Sequence, residues 1–588
     1  MKKFLTVSLV ALFAVALLAL TACRTEDPPA GGGTVEPPVQ NQQETPATPD
    51  EPVQPPDAPE GFWPEGLDEN GRFIETQTLS VMMWDRHQER LPDIENSGWA
   101  DYIRETALRD LNLNIVFEIV PRWEWESVTS TLIGASAAPD VSFHFGGLGM
   151  TNTFAQMGAI LDLEPLLAQY GFLLPNLYDW FDELVYFNQD PTTGEVFAIS
   201  SRRTDPFTLR QSVFIREDWL NTLDIAPPTT LQEFEDALVA FRDNAELLLG
   251  ADADMMIPLM MDGDVGWALG ALIESFIPDA ITEREWFRYD FDARRIMHPT
   301  TKEALRVGNR WFNMGLVFSE FAYGEAGDLM PGFIREGFVG AQIANWDMPF
   351  RAGGDMQIVS MRENVGPEAN FISILPFPND AGNRVMYTFP AADRQIVLPH
   401  TNSNPLASLL FIDLMSRQDV RDFLAFGIEG VHHVVEDNGA LRLIPGADQP
   451  DNFIFAATNN FDINFVANGF SLPTWEQQIN TVALGYAGIE PEAIMAAIDT
   501  ATSASRVWRN VIVRPIDAQE GMTVPLQEFR DTVLQNALGA PEADFDQVWD
   551  TLIEQYMQMG GRAIIEERDR AWVETFGNVD NMPGWTGW

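Results

Sequence analysis

The chain of 588 residues contains one cysteine, Cys23. An intrachain disulfide is therefore excluded, and so is a cysteine-based metal cluster. Lysine is nearly as scarce, standing only at positions 2, 3 and 302, so positive charge is almost all arginine. Basic residues as a whole are few: 36 Lys and Arg against 87 Asp and Glu leave a formal net charge of −51. So acidic a chain repels nucleic-acid phosphates, and no nucleic-acid partner is expected. Signatures of enzymes are thin. His432 and His433 are adjacent and cannot share one helix face as the ligands of a His-Glu-x-x-His site do; they read as a turn beside a hairpin. There is no Gly-x-Ser-x-Gly elbow and no Walker loop. Gly146-Gly147-Leu148-Gly149 lacks the third glycine of a dinucleotide fingerprint. Asp190–Glu195 and Asp437-Asn438-Gly439 offer oxygens to calcium but lack a full Asp-x-Asp-x-Asp-Gly loop, and read as tight turns. No catalytic residue, cofactor or metal ligand is assigned. With 87 acids a carboxylate pair arises easily by chance, so glycoside hydrolysis stays open as an alternative.

Long apolar runs are equally rare, and the one at the start has a clear meaning. Met1-Lys2-Lys3 is followed by the apolar stretch Phe4–Leu20 and then by Leu20-Thr21-Ala22-Cys23. That is the architecture of a secretory signal rather than of a membrane span. Leu-x-Ala-Cys resembles a bacterial lipobox, which implies removal of residues 1–22 and a diacylglyceryl anchor on Cys23. Two acyl chains hold a protein stably at a membrane where one does not. Residues 23–65 are rich in Pro, Glu, Gln and Thr, cannot bury a core, and are expected to form a disordered tether.

What remains is long enough for more than one core. Gln77–Trp84, Asn114–Val120 and Val141–Phe145 read as strands, with helical periodicity over Trp99–Leu111 and Trp123–Ile133 between them. Strand–helix–strand alternation argues for a parallel α/β sheet. Further on, Val196–Ile199 reads as a strand, Ser200–Arg210 as a connection and Ser212–Ile215 as another strand. Thr230-Leu231-Gln232-Glu233 is a capping box opening a helix with Phe234, Leu238 and Phe241 on its inner face.

This stretch, GEVFAISSRRTDPFTLRQSVFIREDWLNTLDIAPPTTLQEF, resembles the middle of extracellular solute-binding proteins, the capture components of ABC importers. The likeness is to the large sugar-binding lipoproteins of Gram-positive bacteria. Ile160–Leu167 (ILDLEPLL), Gly337–Trp346 (GFVGAQIANW), Phe371–Pro376 (FISILP), Gly427–Gly439 and the helical run Val524–Phe576 follow in the same order. The resemblance implies an α/β, two-lobe, periplasmic-binding-protein-like fold with a hinged cleft and extra C-terminal helices. Its first lobe would hold residues 66–205 and 376–430, and its second lobe 206–375. Residues 431–588 would complete the second lobe and add the helices. The chain would cross between lobes near Phe197–Thr208 and Leu375–Arg384. The implied activity is capture of a carbohydrate, an oligosaccharide in the first instance, by a monomer at the outer face of the membrane. Delivery to ABC permease subunits would follow. A surface-anchored glycan-degrading enzyme and a ligand-loaded sensor for a membrane receptor are the alternatives.

Sugars present apolar C–H faces and equatorial hydroxyls, so a site needs aromatic rings beside paired hydrogen-bonding groups. In open α/β sheets ligands sit beyond the carboxyl ends of strands. Trp84-Asp85, His144-Phe145 and Trp346-Asp347 stand at such ends, Arg202-Arg203 in the crossing, and Trp267 after Asp262-Gly263-Asp264. Phe389 and Trp475 complete the candidate set, while Trp585 and Trp588 read as surface residues.

Overall fold

The computed structural model describes residues 54–85, 94–190, 193–261, 263–292, 294–322, 326–351, 357–445, 462–506, 511, 513–519 and 521–582. Cys23 with its leader, the tether to residue 53, Asp262, Trp585 and Trp588 lie outside the described residues.

The first sheet begins as its alternation predicts. β1 (Gln77–Asp85) and β2 (Leu113–Pro121) run parallel, and β3 (Ser142–His144) joins β1 through a parallel bridge between Val81 and Val141. The helix Gly98–Leu111 that links β1 to β2 is fixed at both ends. The Ser97 side chain accepts from the Ala100 N–H, and Asn112 closes the last turn with a left-handed φ of 58°. β4 (Ile199–Arg203) runs further than apolar patterning suggests. Its Ser200 and Ser201 are buried against a later strand, β10 (Ala392–Val397). The Ser200 hydroxyl donates to Gln395 and the Ser201 hydroxyl accepts from the Arg394 N–H. A buried hydroxyl with a partner sits in a sheet without penalty, and periodicity cannot see that partner. β10 is antiparallel to β3 and β4, and β13 (Ala467–Asn468) is parallel to β4 at the edge.

The second sheet has the order β6 (Ile257–Met260), β7 (Val339–Asn345), β5 (Gln211–Arg216), β8 (Phe371–Ile374). Both of its faces are covered, so Gln211, Ser212, Arg216 and Gln342 are buried in it beside the apolar side chains. Val213, Ile215 and Ile343 face one cluster, and Phe214 and Phe371 face the other. The capping box forms as read, with Thr230 and Glu233 bonded reciprocally. Phe234, Leu238 and Phe241 go into the first of these clusters.

The C-terminal helices Thr523–Gly539, Phe545–Tyr556 and Arg562–Phe576 enter that same cluster through Val533, Leu534, Phe545, Trp549, Tyr556 and Ile564. The Met559-Gly560-Gly561 step between the last two requires glycine: Gly560 has φ 153°, and a Cβ there would sit 3.1 Å from the Met522 side chain.

Short strands complete the joints. β9 (Met386–Tyr387) pairs in parallel with β14 (Ser505–Arg506). β11 (His433–Val435) and β12 (Leu441–Leu443) form a hairpin with His432 in the turn before it. The first core does not end at 430 as expected. Ile463, Phe465, Val466 and Ala467 belong to it, because β13 returns to pair with β4. The chain thus passes between the two sheets three times, over residues 204–210, 375–391 and 469–474. Among the described residues no helix is long and apolar enough to cross a membrane.

Candidate functional site

The three passages lie side by side and are tied by one carboxylate. The Arg203 N–H donates to Ala391 O at 2.7 Å and the Thr204 N–H to Asn468 O at 3.0 Å. Asp393, its side chain 2% exposed, accepts from the Arg203 guanidinium and, at 3.0 Å, from the Asn468 amide. The same guanidinium lies 4.3 Å from the centre of the Phe389 ring. Phe389 in turn faces Trp267 nearly parallel, at 6.3 Å between centroids and 21° between planes. Both rings are half-buried. Three of the candidate residues, Arg203, Phe389 and Trp267, are therefore one group. Arg202 is not in it: neighbours in a strand face opposite ways, and Arg202 instead donates to Trp180 O at 2.7 Å.

Trp267 is set by its own helix start. Asp264 caps it by accepting from the Trp267 N–H, and Arg294 binds the same carboxylate. Burial alone would raise the Asp264 carboxyl, but the hydrogen bonds and charge of Arg294 bring it below its ordinary value. Arg294 and Arg210 both lie over the Trp267 ring, at 5.1 and 4.8 Å. Burial lowers the Arg210 guanidinium to about 10, still charged at neutral pH. Its partner is Glu274, which is fully buried and also holds Arg295 at 2.9 Å and the Tyr387 N–H at 2.9 Å.

A second aromatic group forms the adjoining wall, at the carboxyl ends of β1, β2 and β3. The Trp84 ring is fully buried, so it backs this wall rather than lining it, and packs on Phe143 and Phe145 at 4.6 and 4.7 Å. Trp125 closes on Trp84 and Phe145 from the start of its helix. Arg122 lies 5.2 Å from the Trp84 ring and 4.6 Å from Phe145, and Arg394 lies 5.8 and 5.4 Å from them. Both guanidiniums bind Asp462, at 3.1 and 2.7 Å, and Asp462 is 1% exposed. Arg394 also comes within 3.8 Å of Asp393, which joins this wall to the first group. Asp85 stands half-buried at the end of β1.

Four further candidates go elsewhere. His144 faces away from Phe143 and Phe145, as strand alternation dictates. It is fully buried, accepts from the Gly146 N–H at 3.1 Å, and burial lowers it to about 3, so the imidazole is neutral. Trp346 is 3% exposed and meets Tyr486 edge-on at 6.3 Å. Asp347 accepts from the Tyr486 hydroxyl at 3.0 Å and pairs with Arg351 at 2.7 Å. The amphipathic neighbour that Trp346-Asp347 calls for is thus internal. Trp475 opens the helix Trp475–Leu484 on the surface, 52% exposed, and touches neither group.

Sequence reasoning did not select Arg122, Trp123, Trp125, Arg210, Glu274, Arg294, Asp393, Arg394 or Asp462. Arg122, Trp123 and Trp125 carried the signal that marked β1 and β3, aromatic and polar residues at a strand end. Asp462 carried none, because its role comes only from the return of the chain to β4. Chemically, the assembly offers apolar ring faces beside guanidinium donors and carboxylate acceptors. Among the described residues no group of three His, Cys, Asp or Glu is placed to hold a metal ion.

No protein-family model matches the sequence, and no curated protein resembles it at the level of sequence. Solved structures do resemble it. The ABC-transporter substrate-binding protein FusA of S. pneumoniae, in complex with kestose, superposes with a TM-score of 0.61. It is 13% identical, and the match covers 85% of this chain and 100% of FusA. Alginate-binding protein AlgQ2, without calcium ion, gives 0.60 at 16% identity, over 85% of this chain and 98% of that one. The solute-binding protein associated with an HMO-binding ABC transporter of Bifidobacterium longum infantis gives 0.56 at 15% identity, over 85% and 99%. These neighbours are binding proteins. The fold of this chain is the two-lobe fold of ABC-transporter solute-binding proteins, with the passages between its sheets running beneath the aromatic–arginine group.

Proposed function

We propose that this protein captures a carbohydrate between its two lobes and delivers it to a membrane permease, and that it makes and breaks no bond itself. The observation that carries the reading is the site: aromatic faces interleaved with arginine–carboxylate pairs, gathered where the passages between the sheets run together. A sugar needs both kinds of surface at once. The ligands named for the structural neighbours, kestose and alginate among them, are carbohydrates, which supports the same reading. Trp267, Phe389 and Arg203 would line one wall, and Asp85, Phe145 and Arg122 the other, with Trp84 and Arg394 buried behind them.

Thermal unfolding of the full chain against a panel of mono- and oligosaccharides tests this. A bound sugar at about 100 times its Kd stabilises by roughly 2.7 kcal/mol. Trp267→Ala is expected to weaken the identified sugar by about tenfold to a hundredfold, through lost stacking and buried area. A panel without a single stabilising sugar, or turnover of a glycan by the purified protein, would overturn the reading.

The anchor is part of the proposal. Cys23 would carry the lipid that keeps the protein at the outer face of the membrane. Cys23→Ser is expected to release the protein into the soluble fraction of expressing cells. Retention of the variant on membranes after a salt wash would remove the lipid anchor from this account.

A further inference from the structure

We propose that Trp123 is an outer stacking platform of this site, and hence that the ligand is an oligosaccharide long enough to reach it. The inference rests on the carbohydrate reading above. Trp123 is 71% exposed, against 45% for Trp63 and 52% for Trp475, the other exposed tryptophans among the described residues. Only Trp123 adjoins the site. Trp63 leans on Phe172, and Trp475 stands alone at its helix start.

The position is built rather than incidental. Arg122, Trp123 and Glu124 form a single 3-10 turn between Pro121, the last residue of β2, and the helix Trp125–Gly134. The Arg122 guanidinium lies 5.0 Å from the Trp123 ring and 4.6 Å from the Phe145 ring. Both distances run from one carbon, so the two rings lie within about 10 Å of each other, each against the same cation. That span suits linked sugar units, one on the inner wall and another outside it. Arg122 is itself held by Asp462 at 3.1 Å, so the cation beneath the indole is fixed. A rigid aromatic loses little conformational freedom when a ligand stacks on it. Glu124, exposed next in the chain, adds a carboxylate acceptor for hydroxyls beside the ring.

The test is calorimetric titration of the full chain, of Trp123→Ala and of Trp123→Phe with ladders of neutral fructo-, malto- and galacto-oligosaccharides from one sugar unit to five. The wild-type chain is expected to bind longer members of one ladder more tightly. Trp123→Ala should lose about tenfold on those members while binding the shortest bound member within about twofold of the wild type. Trp123→Phe should recover part of the loss. Equal losses at every length, no loss at any length, or a wild type that binds only the shortest member would each overturn the platform. If no member of any ladder binds, the carbohydrate reading itself falls, and the platform with it.

Discussion

Trp346→Ala is expected to lower the unfolding free energy of the second lobe by about 3–5 kcal/mol, the cost of emptying a core tryptophan site. The residue looks like a ligand platform in the sequence, because a charged acceptor, Asp347, follows it at the end of an apolar strand. In the structure the ring is 3% exposed and set edge-on against Tyr486. The Tyr486 hydroxyl donates to Asp347, and burial raises the Tyr486 phenol, which keeps it a donor at neutral pH. Phe350 meets Tyr486 edge-on from a further side, at 6.3 Å. Removing the indole therefore strips one face of a closed aromatic set without freeing a ligand contact. Urea unfolding followed by fluorescence checks the first part, and sugar titration of the folded variant checks the second. A variant that unfolds like the wild type but binds the sugar ten or more times more weakly would return Trp346 to the cleft.

The Glu274→Ala substitution is expected to be as severe, for an electrostatic reason. Glu274 is fully buried and is bound by Arg210 and Arg295, themselves 5% and 11% exposed. Breaking a buried pair by deleting one partner costs about 3–5 kcal/mol, because the remaining charge is left without compensation. Here two guanidiniums lose the carboxylate they share, Arg295 keeping Asp290 at 4.0 Å, and the Tyr387 N–H loses its acceptor. Glu274→Gln keeps an acceptor for that N–H but not the charge, so it should recover only a small part of the loss. Glu554 on the surface, paired with Arg562 at 3.2 Å with both side chains 53% exposed, serves as the control and should be near neutral. A Glu274→Ala protein as stable as the wild type would mean that the pair adds nothing to the second lobe.

Much of the fold could be read in advance, and for identifiable reasons. The β1–helix–β2 unit announces itself because one face of each element is apolar at the right period, and the Thr230–Glu233 box because its chemistry is local. The return of Ile463–Ala467 to the first core was illegible: two residues of pairing with β4 decide it, and nothing nearby signals them. The site divides the same way. Phe145, Arg203, Phe389 and Trp267 stand where strand ends and crossings put them, whereas Trp84, near the end of its strand, lies inside the core. His144 and Arg202 sit beside Phe145 and Arg203 in the sequence, yet a pleated strand turns adjacent side chains to opposite faces. The flanks of Trp346 point to a ligand, while Tyr486, the partner that claims it, lies in another part of the chain. The carboxylates that organise the arginines are the hardest to foresee. Asp393, Asp462 and Glu274 look like any others among 87 acids until the fold brings cations to them.

The order in which the cores draw on the chain bears on how the protein is made. The first core takes Leu67 early and Ala467 late, and the second takes Val213 early and Ile564 late. Neither can close on a growing polypeptide until most of it has been synthesised, the first not before residue 467 and the second not before residue 564. Contacts so distant in sequence also slow the search for the native pairing. Truncation before residue 564 would leave the second lobe open and exposed to proteases, however intact the earlier sequence.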